Sequence, residues 1–202
     1  MLKIDALEFV GGLSKTSKMP CKSYGLPAAE CNVGRVLAQV EGSTCSGCYA
    51  LKGQYRFSNV IAAQYARLKS LNDLRWVDAM VALLKDEKYF RWHDSGDVRD
   101  QVHLDKIFQV CRRCPDTKFW MPTREAALIK RNAGFIPGNL TIRVSAAMID
   151  GKPPASFYNT STVHFEEKAV GISCPAPKQN GECRDCRRCW NKRVKNVSYS
   201  YH

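Results

Sequence analysis

Several of the ten cysteines of this chain fall into spacings that could bind metal. Cys45 and Cys48 lie in the stretch GSTCSGCYALKGQY, residues 42–55. A CxxC turn of this kind sets two thiolates on one ion with little backbone strain, and thiolate is the soft ligand that zinc and iron–sulfur clusters prefer. A second group is denser, because Cys183, Cys186 and Cys189 form CRDCRRC, two overlapping CxxC turns. Overlapping turns occur in ferredoxin-like cluster loops, whereas zinc knuckles more often use separate pairs. Cys174, followed by Pro175, is the candidate fourth ligand of that group, and Cys21 and Cys31 could complete a second four-thiolate set with Cys45 and Cys48. The expected cofactor is one or more iron–sulfur clusters of the 4Fe–4S type, with zinc as the alternative. Cys111 and Cys114 form a further CxxC at a helix end, where the adjoining apolar stripe favours structural thiols.

Acid–base groups gather in the turn His93-Asp94-Ser95-Gly96-Asp97. An imidazole and two carboxylates at one strand end could transfer protons or hold a polar substrate, and Gly96 allows a backbone or ligand to come close. The same residues also suit a tight turn ahead of a helix capped by Asp100. Arg124 could bind a phosphate or carboxylate bidentately, or pair at the surface. The candidate catalytic residues are therefore His93, Asp94, Ser95, Asp97 and Arg124, with Tyr49, Gly96, Thr123 and Ser145 as candidate cofactor contacts. Trp92, Trp120 and Trp190 flank these groups and suit either the core or stacking on a base.

The elements that must position these residues read as strand and helix in alternation. Residues 36–40 are expected to form a first strand leading into the CxxC loop, with further strands at 89–92, 118–121, 140–145, 161–165 and 169–173. Helical spacing runs over 57–69, 73–84, 102–111 and 125–131, with Val60, Ile61, Ala63, Tyr65 and Leu68 marking the inner face of the first. About six parallel strands in this order predict an α/β fold, an incomplete (β/α) barrel whose chemistry sits at the C-terminal strand ends. Residues 1–35 read as an irregular Cys-containing cap, 36–173 as the barrel core, and 174–202 as a Cys-rich basic segment.

Composition narrows the partners. The 202 residues carry 31 Lys and Arg against 19 Asp and Glu, a net charge of +12. Such a surplus concentrates polyanions near the protein, and nucleic acid, DNA or RNA, is the expected partner. Arg184, Arg187, Arg188, Lys192, Arg193 and Lys195 cluster around the last cysteines and are the candidate nucleic-acid contacts. No apolar run approaches the roughly 18 residues of a membrane span, and the first residues lack a secretory pattern. A cytoplasmic protein is expected, in which cysteines serve metals more often than disulfides.

Several of these motifs carry a resemblance. MPCKSYGLPAAEC, GSTCSGCYALKGQY, the HDSGD turn and the PTRE after FWM resemble the phage family called gene product 88, over residues 18–190. That resemblance implies a phage context, hence the host cytoplasm, and brings no activity with it. CSGCYA, an acidic strand end, a strand ending in Thr-Arg and a strand ending in VSA are also similar to radical S-adenosylmethionine (SAM) enzymes and their phage relatives. This second resemblance implies a partial (β/α)₆ barrel, a 4Fe–4S cluster with Cys45 and Cys48 among three ligands, SAM near HDSGD, and an auxiliary cluster on Cys174 to Cys189. If Cys31 is the third ligand one iron stays open to SAM; if Cys21 binds as well, the site is closed. Asp94-Ser95-Gly96 and Pro122-Thr123-Arg124 also resemble motifs of tRNA-guanine transglycosylases and their phage DNA-modifying relatives. That implies base exchange inserting a 7-deazaguanine, with a Cys-bound metal. A non-catalytic nucleic-acid-binding protein with structural metal clusters is the remaining reading.

Overall fold

Strand follows strand across the sheet in nearly the order of the chain. In this computed structural model, which describes residues 1–201, the strands are β1 (Ser14–Lys15), β2 (Lys22–Ser23), β3 (Tyr89–Arg91), β4 (Lys118–Thr123), β5 (Leu140–Ile149), β6 (Thr160–His164), β7 (Ile172–Ser173) and β8 (Asn196–Ser200). They form one eight-stranded sheet in the order β1-β2-β3-β4-β5-β6-β8-β7. Only the β1–β2 pair is antiparallel; from β2 onward every pairing is parallel. The sheet is open. The mixed α/β class is as expected, while the strand number exceeds the six that periodicity gives.

The helices are α1 (Lys3–Phe9), α2 (Val33–Leu37), α3 (Ser58–Ser70), α4 (Trp76–Leu84), α5 (Gln101–Arg113) and α6 (Ala126–Arg131). Helices α4 and α5 bury Trp76, Met80, Leu84, Leu104, Ile107 and Phe108 against Phe90, Trp92, Phe119, Met121, Leu140 and Ile142 of the sheet. These strand residues alternate, so one face of the sheet meets the helices. Trp120, Val197 and their neighbours face the other way and form a second, smaller core with Cys189 and Trp190. Residues 188–195 of the Cys-rich segment are therefore the lid of the sheet's second face.

Three expectations need correction. Residues 36–40 are not a strand: α2 covers Val33–Leu37, and turns follow it. A short apolar run cannot be told from a helical one by periodicity, and here nothing covers it, since Val36 is 66% exposed. The first parallel strand is instead β2, within residues 1–35, and β8, unforeseen in 174–202, pairs with β6. Lastly, α3 turns Gln64 and Arg67 inward and leaves Ile61 and Tyr65 exposed.

Arg67 explains that inversion. Its guanidinium donates to the carbonyls of Gly11, Gly12 and Gly25 and to Ser14 Oγ, tying the N-terminal residues to α3. Arg143 of β5 is fully buried and does the same for the other end. It donates to the carbonyls of Cys189, Thr160, Val194, Lys195, Arg188 and Asn191. Among the described residues neither arginine has a carboxylate within ion-pair distance; the five side-chain ion pairs all lie at the surface.

Candidate metal centre at the strand ends

Loops, not a preceding strand, bring the first cysteines to the C-terminal ends of the sheet. The segment 42–48 docks on the end of β5: Thr44 N–H donates to Ala147 O at 2.9 Å, Ile149 N–H to Gly42 O at 2.9 Å, and Ser43 bridges Met148. Ser43 Oγ accepts the N–H groups of Cys45 and Ser46, at 3.3 and 3.0 Å, and so shapes the CxxC turn. Cys31 arrives by a separate route. Asn32 Nδ2 donates to Arg99 O at 2.6 Å, and Glu125 accepts the N–H of Val33 at 3.1 Å.

The two routes meet around Gly34. A Cβ placed there would lie 3.6 Å from Cys31 Sγ and 3.8 Å from Cys45 Sγ, so both sulfurs border one small volume. Burial pushes the Cys31 thiol up to about 12, and neighbouring Asp97, Cys48 and Cys45 push the same way against Arg99. Cys48 is likewise raised by burial and by Cys45, while the N–H groups of Ala50 and Leu51 and the charge of Arg124 oppose it. Thiols crowded in this way stay protonated unless a cation joins them. Among the described residues, no group of three or more His, Cys, Asp or Glu side chains would hold a metal ion as placed. The cysteine groupings are thus ones of neighbourhood.

The acidic turn divides its residues between site and scaffold. Buried Asp94 accepts from Ser23 Oγ at 2.7 Å and from Tyr55 at 3.3 Å, and its carbonyl accepts from Tyr49 at 2.5 Å. Tyr49 and Tyr55 then line a shallow pocket of about 330 Å³ with Gly47 and Lys52. Asp97 accepts the N–H groups of Val98 and Arg124, both at 2.7 Å, and burial raises its carboxyl to about 6 despite them. Thr123 lies against Asp97 and accepts from Glu125 N–H. Arg124 donates to Ala146 O of β5. Cys31, Cys45, Cys48, Asp97, Thr123 and Arg124 are thus brought together.

Other candidates face elsewhere. His93 is buried in the aromatic core with its Nδ1 2.6 Å from Tyr24 O, and its ring centroid is 5.3 Å from that of His103. Burial lowers it to about 4. Ser95 donates to Leu26 O at 2.7 Å, and the open side of Gly96 (φ 74°) is filled by Leu26 itself. Gly96 admits a backbone, as expected, and that backbone is the protein's own. Ser145 pairs with Ser161 at 2.8 Å. Trp92, Trp120 and Trp190 are all buried, and Cys111 and Cys114 lie in the main core.

Cys21 does not join Cys31. It packs with Cys174 against Trp120, Cys189 and Trp190 on the sheet's other face. Beside it a cleft of about 1130 Å³ is lined by Lys118, Arg187, Arg188, Lys192 and Arg193, with Asp116 and Asp185 among them. Arg184 is exposed, and Lys195 lies over Tyr158.

A family model, Gene product 88, matches residues 5–192. The chain belongs to that family. No curated protein and no solved structure matches it. Within this Gene product 88 chain, Tyr55, Arg91 and Arg99 border the site without having been singled out. Tyr55 closes the very stretch that holds the CxxC turn, whereas Arg91 and Arg99 carry no local signal. Among the described residues no helix is long and apolar enough to cross a membrane.

Proposed function

We propose that this protein is an iron–sulfur enzyme of radical-SAM type that acts on nucleic acid. One observation carries the reading: Cys31, Cys45 and Cys48 are neighbours at the strand ends while Cys21 lies on another face. Three thiolates leave one iron of a 4Fe–4S cluster without a protein ligand. When bound, such a cluster supplies one-electron chemistry to a co-substrate such as SAM. Cys31, Cys45 and Cys48 would hold it, Arg124 would offset its negative charge, and the pocket of Tyr49 and Tyr55 would receive the co-substrate beside Asp94. The net charge of +12 and the basic cleft support nucleic acid as the substrate class.

Protein purified without oxygen should carry iron and acid-labile sulfide that fall together in Cys45→Ala. Reduction with SAM should change the cluster's electron paramagnetic resonance signal and release 5′-deoxyadenosine. An unchanged signal with no 5′-deoxyadenosine would leave base exchange or plain binding. Base exchange through Asp94 has less support, because that carboxylate is enclosed by Ser23, Tyr55 and Gly25.

A further inference from the structure

The loop that carries the last cysteines closes onto the N-terminal segment. Cys183 N–H donates to Lys18 O at 2.9 Å, and a Cβ on Gly181 would come 2.8 Å from Lys18 Nζ. Residues 18–21 are thereby laid along the loop. Cys174 is fixed at the end of β7, its N–H donating to Ser198 O at 2.8 Å, and Cys186 N–H closes a turn on Cys183 O at 2.8 Å. Cys189 differs from these. It is 9% exposed, and its Sγ already has a partner in Tyr199 OH at 3.2 Å.

We propose that Cys21, Cys174, Cys183 and Cys186 together form a closed, four-thiolate site for a soft metal centre, a zinc ion or an iron–sulfur cluster, with Cys189 outside the ligand set. Arg91, which touches the first site through Tyr49, also lies beside Cys21 and Cys183. Its guanidinium stacks over Trp120 at 4.6 Å and reaches Met19 Sδ at 3.1 Å and Tyr49 OH at 3.4 Å. Its Nε is buried without a partner, and no carboxylate among the described residues pairs with it. The charge of Asp94 reaches it only from beyond ion-pair distance, so this half-buried cation is incompletely compensated. Four thiolates on zinc, or on a 4Fe–4S cluster, bring net negative charge to that position. Arg187 and Arg188 add to the same field: Arg91 and Arg187 act on Cys21 and Cys183, and Arg188 on Cys174. The site is independent of the three-cysteine centre, from which it draws no ligand.

The test uses the full chain, loaded either with zinc alone or with iron and sulfide. In the wild type, alkylation of Cys21 followed by mass spectrometry should slow at least tenfold on loading. With Cys31, Cys45 and Cys48 all replaced by Ser, one centre per chain should remain. Its acid-labile sulfide content tells cluster from zinc. Adding Cys21→Ser should abolish that centre, and adding Cys189→Ser should leave it. Equal labelling of Cys21 with and without metal would overturn the assignment. So would full metal retention in the Cys21→Ser chain, or no metal under either loading. Because labelling is read on the unaltered protein, a variant that fails to fold does not decide the matter.

Discussion

Arg143 holds a full charge among backbone carbonyls, and among the described residues no carboxylate lies within ion-pair distance of it. Its planar fork of donors satisfies carbonyls that the lid of residues 188–195 would otherwise bury unpaired. Lysine has one point of attachment in place of several, so Arg143→Lys should cost on the order of 3 kcal/mol in urea unfolding. The lid should then become the first segment cut by trypsin. Buried His93 and His103 set a pH dependence. Burial holds His93 at about 4 and His103 well below its ordinary range, while unfolded histidine titrates near 6.5. The folded chain thus stays neutral at both positions where the unfolded chain takes up protons. Their contribution is present above about pH 6.5 and is lost as pH falls toward 4, by about 1.4 kcal/mol per pH unit for each proton taken up. Asp97, raised by burial, works against this between its ordinary value and about 6. Urea midpoints between pH 7 and 4.5 should therefore fall with acidity, and His103→Gln should flatten the fall.

Helix α5 was plain in the sequence because its stripe and its cap agree: Asp100 accepts the N–H of His103 at 2.8 Å, as its place ahead of the apolar run implied. Asp100→Ala should cost about 1 kcal/mol by thermal or urea unfolding. The turn before it is less forgiving. Gly96→Ala would force a left-handed φ on a residue whose Cβ meets Leu26 at 2.7 Å, and should cost roughly 2 kcal/mol or more by the same measurement. Strands β3 to β6 were equally legible, their apolar residues being long enough runs to carry a period. Strand β2 was not, since two residues hold no period at all, and α3 misled because its inward face is Gln64 and Arg67. Polar side chains that satisfy distant carbonyls leave no trace in a hydrophobic pattern. For the site, the cysteine turns and HDSGD were visible as chemistry. Their partition was not: Cys21 and Cys31 are separated by the docking of Asn32 on Arg99 and of Cys183 on Lys18, contacts far apart in the chain.

At the scale of the whole molecule, charge has been sorted by depth. Ion pairs such as Lys3–Asp86 and Arg113–Asp78 sit in solvent, where each contributes little and salt screens it. The deep cations Arg67 and Arg143 bind dipoles at hydrogen-bond distance, which mobile ions do not reach. The proposed binding of polyanions at Lys118, Arg187, Arg188 and Arg193 should follow the opposite rule, with log affinity expected to fall at roughly −0.9 per phosphate neutralised on duplex DNA against log salt. Arg187→Glu with Arg193→Glu should weaken that binding for all sequences alike and reduce the slope, as a titration over salt would read. Ionic strength consequently acts on one property and spares the other. Between low and moderate salt the unfolding midpoint should barely move while a captured nucleic acid is shed. The protein should come off a polyanion column folded, and rebind on dilution.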